Sequence, residues 1–117
     1  MSEPSVEPSG PWFPVVALED LAINRGVAAL IGDQQVAVFR TDAATVHAVG
    51  NYDPFSRANV LSRGIVGDRN GIPKVASPIY KQSFDLRSGR CLEDPSVAVP
   101  VFAVRIADGI VEVAGPT

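Results

Sequence analysis

The sequence predicts an all-β fold, a small antiparallel sandwich or partly open barrel with a long two-part loop insertion. Three observations carry that prediction. From Trp12 onward, short runs rich in Val, Ile, Phe and Thr alternate with Gly, Pro, Asn and Asp, the punctuation of strands and tight turns. No segment keeps apolar residues at helical spacing through three turns. Gly32-Asp33 and Asp108-Gly109 each separate two apolar runs by the two residues that a tight hairpin needs. Strands this short leave many edges, which partial closure and covering loops protect.

Taken in order, Trp12 to Leu18 reads as an opening strand and Glu19-Asp20-Leu21 as a turn. Val27 to Ile31 and Gln35 to Arg40 flank Gly32-Asp33, where Gly tolerates the positive φ required at the first turn position. Thr45 to Asn51 is a fourth strand. Asn51 to Tyr80 reads as a long connection interrupted by Gly64, Gly67 and Gly71, and its Phe55, Val60, Leu61, Ile65 and Val66 argue that it is ordered. Lys74 to Ser77 and Ser83 to Leu86 are short strands. Val101 to Ala107 and Ile110 to Val113 form a hairpin across Asp108-Gly109, a type I′ signal. That loop length sets Ile106 opposite Val111 and Val104 opposite Val113, with Arg105 on the other face. The total expected is about nine or ten strands, with no internal repeat.

With 117 residues, 46% of them hydrophobic, the chain suits one domain with one core. Residues 1–11 are expected as a disordered leader, 12–114 as the domain and 115–117 as a tail. The leader has neither the basic start nor the apolar stretch of a signal peptide, and nothing approaches the ~20 apolar residues of a membrane helix. A formal charge of −3 and a pI near 5.0, with both signs mixed along the chain, give no footprint for nucleic acid and disfavour membrane binding. One Cys, Cys91, and one His, His47, can form neither an internal disulfide nor a four-ligand metal site. Cysteine usage points to a reducing, intracellular compartment.

The segments that carry chemistry are Asn51-Tyr52-Asp53 and Ser77-Pro78-Ile79-Tyr80, the latter followed by Phe84-Asp85-Leu86-Arg87-Ser88-Gly89. They resemble the frame of a Rieske (ISP-type) site, Cys-x-His and Cys-Pro-x-His before a Phe-Asp-Leu hairpin. In that frame two thiolates hold one iron and two imidazoles the other. Here the four ligand positions are vacated, occupied by Asn51, Asp53, Ser77 and Tyr80. Val36 to Arg40, Asn51 to Phe55, Val60 to Gly64, Ala76 to Gln82 and Phe84 to Leu86 together resemble, over Trp12 to Val113, the small subunit of the cytoplasmic NAD(P)H-dependent assimilatory nitrite reductase. The resemblance implies a Rieske-like domain with no cofactor of its own. It further implies a partner, the large subunit carrying FAD, siroheme and an iron-sulfur cluster, which reduces nitrite to ammonium. A cluster-less module for another oxidoreductase is the competing reading.

Without metal bonds, the two loops need hydrogen bonds and packing to hold them. Asn51 and Asp53 suit Asx turns, and Pro54 and Pro78 restrict the unfolded chain. Tyr80 is expected to turn its hydroxyl to Asp53 or the first loop, filling the volume of the absent cluster. No catalytic group is expected. Asp53, Ser77 and Tyr80 lack the base a serine nucleophile requires, His47 reads as a strand residue, and Cys91 as an ordinary thiol. The candidate docking residues are Pro54, Phe55, Arg57, Arg63, Pro78, Ile79 and Lys81. Arg57, Arg63, Arg69, Lys74 and Lys81, half of the ten basic residues, form a possible patch for an acidic partner.

Overall fold

The computed structural model describes residues 11–114; the expected leader, apart from Pro11, and the expected tail lie outside them. Among these residues the strands are β1 (Trp12–Ala17), β2 (Arg25–Ile31), β3 (Gln34–Asp42), β4 (Thr45–Gly50), β5 (Tyr52–Asp53), β6 (Ala58–Asn59), β7 (Ile65–Arg69), β8 (Ile72–Ala76), β9 (Ser83–Asp85), β10 (Val101–Phe102), β11 (Val104–Ala107) and β12 (Ile110–Ala114), with short 3-10 turns at Leu18–Asp20 and Leu61–Arg63. The order β1-β12-β11 makes one sheet, β10-β4-β3-β2 a second and β7-β8-β9 a third, and β5 pairs with β6 in a small ribbon. All of these pairings are antiparallel, as the all-β prediction required.

The sheet containing β3 and β4 is the middle layer. Successive side chains of a strand point to opposite faces. Ala37, Phe39 and Val49 therefore meet Leu61, Val75, Phe84 and Leu86 on one side, while Val36, Val38 and Ala48 meet Leu21, Ile31, Val111 and Val113 on the other. Both faces of β3 are covered, which is why Val36-Ala37-Val38-Phe39 is an unbroken apolar run and all four are buried. The one core expected from composition is in fact two clusters with this sheet between them.

Both expected turns form. Ile31 pairs with Gln34, leaving Gly32 at φ 64° in the loop. Asp108 and Gly109 both take positive φ, 52° and 75°, as a type I′ turn demands. The deduced register is found, with Ile106 opposite Val111 and Val104 opposite Val113. Arg105 on the other face bonds Glu112 at 2.7 Å and lies 4.2 Å over the Trp12 ring.

Two segments differ from expectation. The strand read over Val101 to Ala107 breaks at Ala103. Before it, Val101 and Phe102 pair with β4; after it, β11 pairs with β12, and the Ala103 carbonyl accepts the Ala114 N–H. The chain there crosses from the middle sheet to the outer one. The supposed connection Asn51 to Tyr80 is largely regular structure, holding the β5–β6 ribbon and a full β7–β8 hairpin. That hairpin closes through Asn70 (φ 52°) and Gly71 (φ 84°), an Asn-Gly signal submerged in the reading of a loop. No helix among the described residues is long and apolar enough to cross a membrane.

Candidate functional site

Two turns emerge side by side from this scaffold, the first after β5 and the second after β8. Asn51 follows β4 and is buried; its Oδ1 accepts the Ser62 N–H at 2.7 Å and its Nδ2 donates to Gln35 Oε1 at 3.1 Å. It thereby ties the Leu61–Arg63 turn to β3. Asp53 is fully enclosed. Its Oδ1 accepts the Phe55 N–H at 2.9 Å, and its Oδ2 accepts the Ser56 hydroxyl at 2.8 Å and the Ser77 hydroxyl at 2.5 Å. The last bond joins the two turns directly. Burial alone would raise the Asp53 pKa, but the Ser77 and Ser56 hydroxyls and the Phe55 N–H outweigh it and hold the carboxyl below the ordinary aspartate value.

The turns share one construction. Asp53-Pro54-Phe55-Ser56-Arg57 and Ser77-Pro78-Ile79-Tyr80-Lys81 each run polar, Pro, apolar, hydroxyl, basic. In each, the polar side chain accepts the N–H two residues on: Phe55 N–H to Asp53, and Ile79 N–H to Ser77 Oγ at 3.2 Å. In each, the basic residue donates its N–H to the first carbonyl, Arg57 to Asp53 at 2.7 Å and Lys81 to Ser77 at 3.1 Å. Both basic residues have positive φ, 61° at Arg57 and 66° at Lys81. Aligning the five residues that begin at Asp53 with the five that begin at Ser77 reveals this repeat, which the sequence reading did not find.

Tyr80 does not do what was expected of it. Its side chain is 61% exposed, so Ser77 makes the contact assigned to the tyrosine. Phe55 turns inward, its ring 6.2 Å from that of Phe84, against the first core cluster. Pro54 is half-buried and, with Tyr52, Pro100 and Phe102, walls a groove of about 280 Å³. Pro78, Ile79, Arg57 and Lys81 are exposed. Arg63 lies on a flank with Arg25, bordering a depression that also includes Ser62 and Gly64. Of the five residues of the basic patch, Arg69 pairs with Glu93 at 2.7 Å, while Lys74 donates to the neutral Ser83 Oγ at 3.3 Å and keeps its charge.

Neither remaining titratable group joins the turns. His47 stands in a polar cleft with Asp42, Asp68 and Arg87, where burial lowers its pKa. Cys91 is enclosed in the first cluster, and burial pushes its thiol up. Among the described residues Ser77 has the Asp53 carboxylate beside it, and the bond between them clips the two turns together.

A family model described as a Rieske-like [2Fe-2S] domain matches residues 11–114. The chain is 41% identical over 105 residues to a nitrite reductase (NADH) small subunit of Escherichia coli strain K12, covering 89% of this chain and 97% of that one. It is also 41% identical over 107 residues to a nitrite reductase [NAD(P)H] large subunit of Klebsiella oxytoca, covering 92% of this chain and 11% of that polypeptide. A solved structure from Mycobacterium tuberculosis, provisionally assigned as an NADH-dependent nitrite reductase small subunit, superposes with a TM-score of 0.88 at 51% identity, covering 92% of this chain and 97% of the other.

The family's [2Fe-2S] cluster does not fit the residues present. An amide, a hydroxyl and an exposed phenol replace three of the four thiolate and imidazole donors, and the carboxylate at the fourth position is taken up by three hydrogen-bond donors. With that fold, these substitutions and these relatives, the chain belongs to the Rieske-like [2Fe-2S] domain family, among its nitrite reductase small subunits.

Proposed function

We propose that the chain is the non-catalytic small subunit of a cytoplasmic NAD(P)H-dependent nitrite reductase serving nitrate and nitrite assimilation, and that it acts by binding the large flavin- and siroheme-bearing subunit. The observation that carries this reading is the match to the Klebsiella oxytoca protein, where a domain like this one forms 11% of a large-subunit polypeptide. A domain found within the large polypeptide of one relative and separate in another is one that works against that polypeptide. The clip supports the reading from the chemical side, because a cluster site converted to internal hydrogen bonds positions loops rather than carrying electrons. FAD, siroheme and an iron-sulfur cluster then belong to the partner. The face that docks is the one bearing the two turns, with Ile79, Pro78, Arg57 and Lys81 outermost.

The test is reconstitution from purified chains. The tagged chain should form a complex with the large polypeptide, and NAD(P)H-driven nitrite reduction should require both. The chain alone should be colourless and inactive. A large subunit that is fully active and elutes separately from this chain overturns the reading.

A further inference from the structure

The structure assigns a specific chemistry to the docking face: Arg57 and Lys81 are a matched pair of cations, fixed in left-handed backbone, that receive carboxylates of the large subunit around an apolar contact. This rests on the reading just given and adds which atoms dock and what they meet. The first ground is backbone conformation. A turn closed by an N–H to the carbonyl four residues back ends most cheaply in Gly, because a Cβ is crowded at positive φ. Both turns instead end in a long basic residue, at 61° and 66°. A local preference violated twice at equivalent positions, both times in favour of a cation, marks a site kept for something other than stability.

The second ground is the absence of internal partners. Among the described residues Arg57 and Lys81 make no salt bridge or side-chain hydrogen bond, a state they share only with Arg25 and Arg63 on the flank among the basic residues, whereas Arg69, Arg87 and Arg105 each pair with an acid. The acid of the first turn, Asp53, is enclosed. Glu93 is engaged by Arg69 and by the Ser83 N–H. The third ground is the surroundings. Ile79 is 47% exposed, and Ile65, opposite Ala76 on the next strand, is 70% exposed. Ile79 stands two residues before Lys81 in the same turn, and an exposed apolar side chain beside an unpaired cation fits a partner surface that sets an apolar side chain beside a carboxylate.

The experiment measures association of the purified chain with the purified, flavin-loaded large polypeptide at about 50 mM and about 300 mM salt, between which the screening length falls about 2.4-fold. The unaltered chain should bind more weakly at the higher salt. The double variant Arg57→Gly, Lys81→Gly should bind about tenfold more weakly at low salt, chiefly through slower association. Its thermal midpoint should be unchanged or higher, because relief of positive φ offsets the added freedom of glycine in the unfolded chain. The exchange Arg57→Lys, Lys81→Arg should bind within about twofold of the unaltered chain. Binding by the glycine variant within twofold of the original, or binding indifferent to salt, overturns the assignment while leaving the subunit reading intact. A glycine variant that unfolds also overturns it, since the two residues would then be structural. No binding by the unaltered chain at either salt overturns the subunit reading itself.

Discussion

Ser77→Ala isolates the bond that replaces metal in holding the two turns together. Ser77 is 1% exposed; its Oγ donates to Asp53 at 2.5 Å and accepts the Ile79 N–H at 3.2 Å. The first is a hydrogen bond to a charged group, worth ~1.5–3 kcal/mol net. The second joins a turn open to water, so its donor finds a replacement and adds at most about 0.5 kcal/mol. Asp53 keeps its bonds from Phe55 N–H and Ser56, so the carboxylate is not left bare. The expected loss is about 2–3 kcal/mol, against a typical total of about 5–15 kcal/mol for a domain. In a thermal melt this is a fall of roughly 10–20 °C.

The loss should also depend on pH in a definite direction. Folding lowers the Asp53 pKa, and the Ser77 hydroxyl is the leading cause of that lowering. The stabilisation is complete above the unfolded value of ~3.9 and disappears as pH falls through the lower folded value. Denaturant unfolding of both proteins should show the full gap at pH 7, a narrowing gap below about pH 4, and near-equality once Asp53 is protonated in both states. A loss under about 0.5 kcal/mol at pH 7, or a gap that widens as the pH falls, would refute the clip.

Three further outcomes follow from the same geometry. Tyr80→Phe should change stability by less than about 0.5 kcal/mol, since its side chain is largely exposed; a clear loss in a chemical melt would restore the hydroxyl contact to the first turn. Gly89→Ala should cost well over 2 kcal/mol, because Gly89 sits at φ 79° and a Cβ there would stand 2.1 Å from the Val99 carbonyl oxygen; wild-type-like expression and melting would contradict the close approach. Treatment with a strong chelator should leave the thermal midpoint unmoved, because the donors at the four ligand positions are bonded inward or face solvent; a midpoint lowered by chelation, with iron recovered in the chelate, would show that metal supports the turns.

What the sequence made legible were the features decided locally. Asp108-Gly109 dictates both its turn type and the pairing of Ile106 with Val111, because a two-residue loop leaves no freedom of register. The vacated ligand positions were readable because ligand chemistry is a matter of residue identity. The break at Ala103 depended on neighbours far away in the chain, whereas two other misses concerned local turns. Ala103 ends a strand only because β4 and β12 compete for its two sides. Asn70-Gly71 was as strong a hairpin signal as any, but the reading of Asn51 to Tyr80 as one loop hid it. Tyr80 was chosen to fill the cluster's place because it is the larger side chain. The smaller Ser77 instead makes the bond to Asp53, being buried while Tyr80 is exposed.

That exchange of a ring for a hydroxyl has a consequence for function. A cluster cross-links its loops with metal–ligand bonds, whose strength follows the charge on the iron and which chelation removes. The Asp53–Ser77 bond, the Asn51 bonds and the Phe55–Phe84 contact depend on neither. Of these, only the Asp53–Ser77 bond titrates, weakening when Asp53 is protonated well below neutral pH. Arg57 and Lys81 are therefore held in the same place whether the partner's centres are oxidised or reduced. On the proposed subunit role, a chain built this way offers a surface independent of redox state, and its association with the large polypeptide should be equally tight before and after NAD(P)H is added.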